Sequence, residues 1–284
     1  MFKSIKLNKD YWKKRIPYLK FGTPDPRLIF SDDVLRFSEA MTSFRFNQVY
    51  KTTKTNRHLH TQNFLKNYFG QENKPVIFDI GASDGSTSLN FIDLLNQSFK
   101  KYYVTDYNIE CSYVTDKGYT FFFDQSDTCF LVASKRFVFY PETSWYVDFF
   151  FKNKLHEIIN KPKTNIVLCN RKLFNLSNID DRIKILSYNI FETWRNEKAD
   201  IIIVGNLLNR SYFSDPEIKK AILNCYEALT ENGVLAIIRN KLEGPDEIEK
   251  SSVYCKSDKF SLKKIFEQNG GVEINDLILS LQFK

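Results

Sequence analysis

Pro75-Val76-Ile77-Phe78-Asp79-Ile80-Gly81-Ala82-Ser83-Asp84-Gly85-Ser86-Thr87 is the stretch on which the fold turns. Val76–Ile80 is a short apolar run of the kind a buried parallel strand shows. Small residues follow, with glycines at 81 and 85 that let the backbone turn sharply and approach a ligand closely. Over residues 87–96 the apolar spacing is helical, and Tyr102-Tyr103-Val104-Thr105 reads as a second strand ending at Asp106. Strand, turn, helix, strand is the opening of an α/β sheet. The turn falls at the carboxyl end of a strand, where open α/β sheets bind ligands. The helix start at Ser86-Thr87 offers unpaired N–H groups and a positive dipole end to a carboxylate or phosphate.

Working outward, the regular pattern breaks after Asp106. Tyr119–Phe123 and residues 130–132 and 137–140 read as hairpin strands, followed by a helix over about 144–160. The alternation then resumes, with strands at Ile183–Ser187 and 200–205. A helix opened by Asp215-Pro216-Glu217 runs to about Thr230 and stops at Asn232-Gly233, and a strand follows at 234–239. Residues 253–255 and 276–281 are expected to close the sheet as an antiparallel pair, and 260–269 fits helix or strand. Upstream, 32–50 and 59–69 have near-helical spacing, with a loop at Pro24 and Pro26. The expected organisation is a helical cap over 1–73 and an α/β domain over 74–284, carrying a β-rich insertion at about 107–165.

Asp79-x-Gly81-x-Ser83-x-Gly85 resembles motif I of class I S-adenosylmethionine (SAM) dependent methyltransferases, whose usual form is Asp/Glu-x-Gly-x-Gly-x-Gly. Ser83 stands at the middle glycine, which also argues against a dinucleotide-binding Gly-x-Gly-x-x-Gly. An aspartate before the glycines suits a cationic amino-acid end better than a pyrophosphate. In the resembled family the acid ending the next strand, here Asp106, bonds both ribose hydroxyls; a carboxylate can accept from a diol. Tyr188-Asn189-Ile190-Phe191 resembles motif III, with Asn189 in place of the usual Asp that receives the adenine amino group and Ile190 packing on the ring. Residues 200–205 with Asn206 and the run to Phe213 correspond to motif IV, where Gly205-Asn206 would present backbone towards the methyl group. This stretch is faintly similar to chemotaxis-receptor methyltransferases, but the Arg of their Arg-Asn pair is missing, so carboxyl methylation does not transfer. Asn-Pro-Pro-Tyr and Pro-Cys motifs of base-methylating enzymes are absent. Glu231-Asn232-Gly233-Val234-Leu235 looks like the family's turn before its fifth strand.

The resemblance covers roughly 75–240 and implies a seven-stranded, mostly parallel Rossmann-like sheet with SAM as cofactor. The cofactor-binding set it implies is Asp79, Gly81, Ala82, Ser83, Asp84, Gly85, Asp106, Asn189, Ile190, Gly205 and Asn206, with no metal and no nominated catalytic residue. The reaction is methyl transfer to an acceptor, expected to be a small molecule or lipid. A SAM-fold scaffold without turnover and an RNA- or DNA-modifying enzyme stay open as alternatives.

Composition narrows the setting. The chain has 284 residues and a formal charge of +7, which by itself reflects solubility as readily as a polyanionic partner; no RNA-binding module is recognisable. Cys111, Cys129, Cys169, Cys225 and Cys255 are dispersed, which fits reduced thiols and a cytoplasmic setting better than a disulfide framework. No run of about 20 apolar residues predicts a transmembrane helix, and the basic start lacks the apolar region of a signal peptide. Phe149-Phe150-Phe151 with Lys152, Lys154, Lys161 and Lys163 fits peripheral membrane contact, and equally a buried helix with snorkelling lysines. His58, His60 and His156 read as surface or packing residues, and Tyr212 as loop packing or a substrate wall.

Overall fold

Five consecutive buried side chains leave Val76–Ile80 (β1) no solvent-facing side, a position for the middle of a sheet covered on both faces. The computed structural model, which describes residues 4–18, 22–46, 49–51, 56–70, 72–141, 145–243, 246–257 and 260–283, puts it there. Lys101–Asp106 (β2) runs parallel to β1, and Ile183–Ser187 (β3) runs parallel to β2, with Ser187 opposite Asp106. On the other side of β1, Ala199–Gly205 (β4) is parallel, and Leu229–Glu243 (β5) is parallel to β4. Asp246–Ser257 (β6) and Ser261–Gln268 (β7) follow as antiparallel neighbours. The order is β3-β2-β1-β4-β5-β6-β7. The sheet is therefore mixed: parallel through β5, then antiparallel to its edge.

Leu59–Phe69 (α1) precedes β1, and Ser86–Leu95 (α2) connects β1 to β2. Arg171–Ile179 (α3) precedes β3, Asp215–Ala228 (α4) connects β4 to β5, and Asn275–Leu279 (α5) follows β7. The start of α4 is held as its sequence suggested. The Glu217 carboxylate accepts from the Ser214 N–H at 2.8 Å, with Pro216 in the first turn. The buried face of α4 (Ile218, Ile222, Cys225) meets Phe78, Ile202, Val204, Leu235 and Ile237 in one apolar core.

Two expectations need correcting. The partner of residues 253–255 is β7, not 276–281, because the chain from Ser257 to Ser261 is short enough only for a hairpin; residues 275–279 are helical, with Leu277 and Ile278 buried. Strand β5 begins at Leu229, not at 234: Leu229 already pairs with Ala199, ahead of a register shift that Asn232 takes up with φ 60°. The contacts also divide the chain along other lines than the expected limits near 73 and over 107–165. The chain divides into residues 1–53 with 108–171, and 54–107 with 172–284, so α1 groups with the seven-stranded sheet and residues 1–53 with the insertion.

The unit of 1–53 and 108–171 is built on an antiparallel sheet in the order Ile5–Leu7, Phe137–Phe139, Cys129–Ala133, Tyr119–Phe123, Glu110–Asp116, Thr164–Val167. The hairpins expected here are present; the pairing of Ile5–Leu7 with them is what makes the N-terminal segment part of this unit. Its sheet is apolar on both faces. Phe122 points to a core with Phe37, Phe44, Phe46 and Phe130, while Phe121 and Phe123, one residue either side, point to the opposite face with Val132 and Ile158. The helix Trp145–Ile159 packs Phe151 and Leu155 on that second face. Lys154 and Lys161 pair with Asp116 and Glu157, and Lys163 pairs with Asp127; Ile158 is buried and Phe151 and Leu155 half-buried, while the side chains of Phe149 and Phe150 lie outside the described residues. Among the described residues no helix is long and apolar enough to cross a membrane, and no disulfide joins any two of the five cysteines.

Candidate functional site

Where β1 ends, the backbone turns through Gly81 (φ 73°), Ser83 (φ 60°) and Gly85 (φ 75°), all in the left-handed region. The Ala82 N–H donates to the Thr105 carbonyl at 2.9 Å, and the Gly85 N–H to the Ala82 carbonyl at 2.9 Å, so the turn is tied to β2 and to itself. Asp84 is buried and works as a strut: its carboxylate accepts from the Ser86 N–H and Ser86 Oγ, each at 2.9 Å, at the start of α2. Gly85 has a second reason to be glycine, since a Cβ there would lie 2.2 Å from Leu173 Cδ2. At Gly81 a Cβ would lie 3.1 Å from Leu207 Cδ2.

Asp106, at the end of β2, reaches back to this turn. Its Oδ2 accepts from the Ser83 N–H at 3.0 Å, so the two features read from sequence as neighbours are hydrogen-bonded. Asp79 does something else. Its Oδ2 accepts from Ser88 Oγ at 2.7 Å and Tyr102 OH at 3.1 Å, inside the layer between β1, β2 and α2. Burial pushes its carboxyl up to about 6, against the pull of those two hydroxyls.

The segment after β3 is likewise occupied by structural work. Asn189 Oδ1 accepts from the Phe191 N–H at 3.1 Å, which is a local turn closure. The Ile190 side chain belongs to the apolar core, and its carbonyl accepts from Asn224 Nδ2 at 2.8 Å.

After β4, Asn206 takes φ 56° and joins a network that no sequence pattern announced. Asn206 Nδ2 donates to Asn240 Oδ1 at 2.9 Å, and the Asn240 N–H donates to Asn206 Oδ1 at 2.6 Å. His58 Nε2 lies 3.0 Å from the same Asn240 Oδ1. An amide oxygen only accepts, so the neutral ring carries its proton on Nε2. Burial and the neighbouring Arg57 charge hold His58 down to about 4, which keeps it neutral at physiological pH. The ring lies against Gly205, where a Cβ would come within 2.6 Å of Cε1. His58 is thus a packing residue, as its sequence reading had it, but one placed at the carboxyl end of β4. Tyr212 is exposed, with the Arg239 guanidinium 5.8 Å from its ring centre.

Asn240 also lines a cavity of about 440 Å³ with Arg57, His60, Glu247 and Asn269. Arg57 and Glu247 are ion-paired at its wall. One further residue was not foreseen: Gln62 of α1 is buried and donates from Nε2 to the Thr87 carbonyl, in the first turn of α2, at 2.9 Å.

No protein-family model matches the chain, and no curated protein sequence matches it. Among solved structures, the mitomycin 7-O-methyltransferase MmcR is 13% identical, with 78% of this chain and 44% of that one covered and a TM-score of 0.35. The N-methyltransferase NodS from Bradyrhizobium japonicum WM9, in complex with S-adenosyl-L-homocysteine, is 12% identical over 73% of each chain, with a TM-score of 0.37. Human N-acetylserotonin methyltransferase, in complex with SAM, is 14% identical over 75% of this chain and 40% of that one, with a TM-score of 0.34. The matched region thus spans less than half of the MmcR and human chains.

Proposed function

We propose that residues 54–107 with 172–284 form a Rossmann-like SAM-binding domain and that the protein transfers the SAM methyl group to a small-molecule acceptor. The observation that carries this is the hydrogen bond from the Ser83 N–H to Asp106 Oδ2, which joins the glycine turn to the acid of the next strand. The two meet beside the point where strand order reverses: from β1 the chain passes to β2 and β3 on one side, then to β4 and β5 on the other. Ligands of open α/β sheets bind in the crevice at such a point.

The residues present fit SAM. The turn from Gly81 to Gly85 would hold its backbone-facing side, and Asp106 would receive the ribose diol. Buried at the first turn of α2, Gln62 Oε1 has no hydrogen-bond partner among the described residues and is suited to a donor on the ligand. Asp79 shapes the turn from beneath, through Ser88 and Tyr102, and Asn189 closes its own turn. When bound, SAM supplies a methyl group already activated by the sulfonium. The protein's part is then positioning and exclusion of water. Gly205 and Asn206 supply backbone at the carboxyl end of β4, Asn206 held by Asn240 and Gly205 packed against the His58 ring, and the cavity beside Asn240 has the size of a small-molecule site.

Calorimetric titration with SAM and S-adenosylhomocysteine tests the proposal. Wild type is expected to bind both in the micromolar range, Gly81→Arg neither, and Asp106→Ala with affinity lower by about tenfold, or about 1.4 kcal/mol. A folded wild-type protein that binds neither ligand would overturn it. A second reading, a SAM-fold scaffold without turnover, is favoured by Leu173 filling the space beside Gly85. It predicts the same fold with no binding, or binding without transfer of labelled methyl to any acceptor.

A further inference from the structure

Gln62 is 3% exposed, and its side chain is the one point at which α1 bonds to the first turn of α2 among the described hydrogen bonds. The Thr87 carbonyl can only accept, so the amide NH2 must face it, and the orientation of the Gln62 amide follows. Its Oε1 is then a buried acceptor, and no donor among the described residues meets it. Buried polar atoms in folded proteins are nearly always satisfied, so an orphan of this kind asks for a partner from outside the chain. A missing partner must be a donor.

The neighbourhood says more. Thr87 follows Gly85 and Ser86 in the opening turn of α2, where the Gly85 N–H is bonded to the Ala82 carbonyl and the Ser86 N–H to the buried Asp84 carboxylate. The orphan acceptor therefore stands at a helix start that already holds a carboxylate. A phosphate, with acceptor oxygens only, meets repulsion from Oε1 and from that carboxylate. An ammonium group can donate to Oε1 and is favoured by the same carboxylate.

We propose that Gln62 Oε1 accepts a hydrogen bond from the α-ammonium group of an amino-acid tail, so that α1 reads the methionine end of the ligand. This rests on the SAM reading above and adds to it the residue that separates an amino-acid-bearing nucleoside from a phosphorylated one. The role belongs to α1, outside the motifs of the glycine turn.

The test is a thermodynamic cycle on the full chain, using S-adenosylhomocysteine and its analogue lacking the α-amino group, with wild type and Gln62→Met. Wild type should bind the complete ligand at least about tenfold more tightly than the deamino analogue, as a hydrogen bond to a charged group implies. In Gln62→Met that ratio should fall to within about threefold, with the affinity for the deamino analogue little changed. An unchanged ratio in the variant, or a wild-type ratio near one, would overturn the assignment while leaving SAM binding intact. If Gln62→Met does not fold, Gln62→Leu takes its place in the same cycle, with the same two outcomes. Wild type that binds neither SAM nor S-adenosylhomocysteine overturns the assignment along with the function it rests on.

Discussion

Asp79 and His58 are both buried ionisable groups beside the candidate site, and their effects on stability have opposite signs. Burial raises Asp79 from an ordinary value of 3.8 to about 6, so in that window it holds a proton when folded and loses it when unfolded; its contribution declines as pH rises from 4 to 6. Burial and Arg57 lower His58 from 6.5 to about 4, so there the unfolded state holds the extra proton and stability rises with pH. Each shift corresponds to roughly 3 kcal/mol, and over pH 4.5–6.5 the two largely cancel. Asp79→Asn keeps an oxygen for Ser88 and Tyr102 and removes the first slope. Its stability in urea melts is expected to climb by about 2–3 kcal/mol between pH 4.5 and 7, above a nearly flat wild type. A variant curve as flat as wild type would show that the Asp79 carboxyl is not raised. At this scale the sequence was readable where the constraint is local. Gly81, Gly85 and Asp106 follow from a chain that must turn between strands. Asp79, Asn189 and Ile190 stand at or just beyond the carboxyl ends of β1 and β3, and their side chains bond to or pack on other protein groups, a choice that motif spacing does not encode. His58 and Gln62 had no local signal at all, since His58 meets Asn206 across 148 positions of sequence.

The start of α1 shows how one element depends on another distant in sequence. His58 precedes the helix without a side-chain cap, and the work of capping falls to Glu249 on β6. Its carboxylate accepts from the His60 N–H at 3.1 Å, the Thr61 N–H at 2.9 Å and Thr61 Oγ1. Negative charge at a helix start is favourable, and unmet N–H groups there are costly. Glu249→Ala is therefore expected to destabilise the protein by about 2–4 kcal/mol, through lost charge-assisted hydrogen bonds and a buried gap. Hydrogen exchange gives the sharper readout: amides of α1 should lose protection before those of β1. Equal loss across both would mean that Glu249 acts on the whole sheet and not on the helix. Local patterns revealed α1, α2 and α4 because each carries apolar spacing or a capping residue. They missed α3, whose one buried side chain is Leu173, and misplaced the sheet edge, where residues 276–281 have strand-like apolar content but β7 has the hairpin connection.

At the scale of the molecule, the sequence conveyed an α/β protein with a β-rich insertion and an expected first boundary near 73, whereas the contacts group residues 1–53 with 108–171. A boundary near 73 follows from a change in local composition, whereas the grouping of residues 1–53 with 108–171 depends on Ile5–Leu7 pairing with Phe137–Phe139, more than a hundred residues away. The consequence is that the chain leaves the sheet unit after Tyr107 and re-enters it at Lys172, having completed a different core in between. The core on the α4 face of the seven-stranded sheet draws its members from Val76 to Phe283 and none from the other unit. The glycine turn, Asp106, Gly205, Asn206, His58 and Gln62 all fall within 54–107 and 172–284. A chain with residues 1–53 deleted and 108–171 replaced by a flexible linker of about ten Gly and Ser residues should therefore retain the whole candidate cofactor site. It is expected to unfold in urea as a single cooperative transition and to bind S-adenosylhomocysteine within about threefold of the full chain. Cooperative unfolding without that affinity, in a form whose parent binds the ligand, would mean that the site takes a residue from the removed segments. Loss of the transition itself would mean that the core of the sheet, though continuous, does not stand without them.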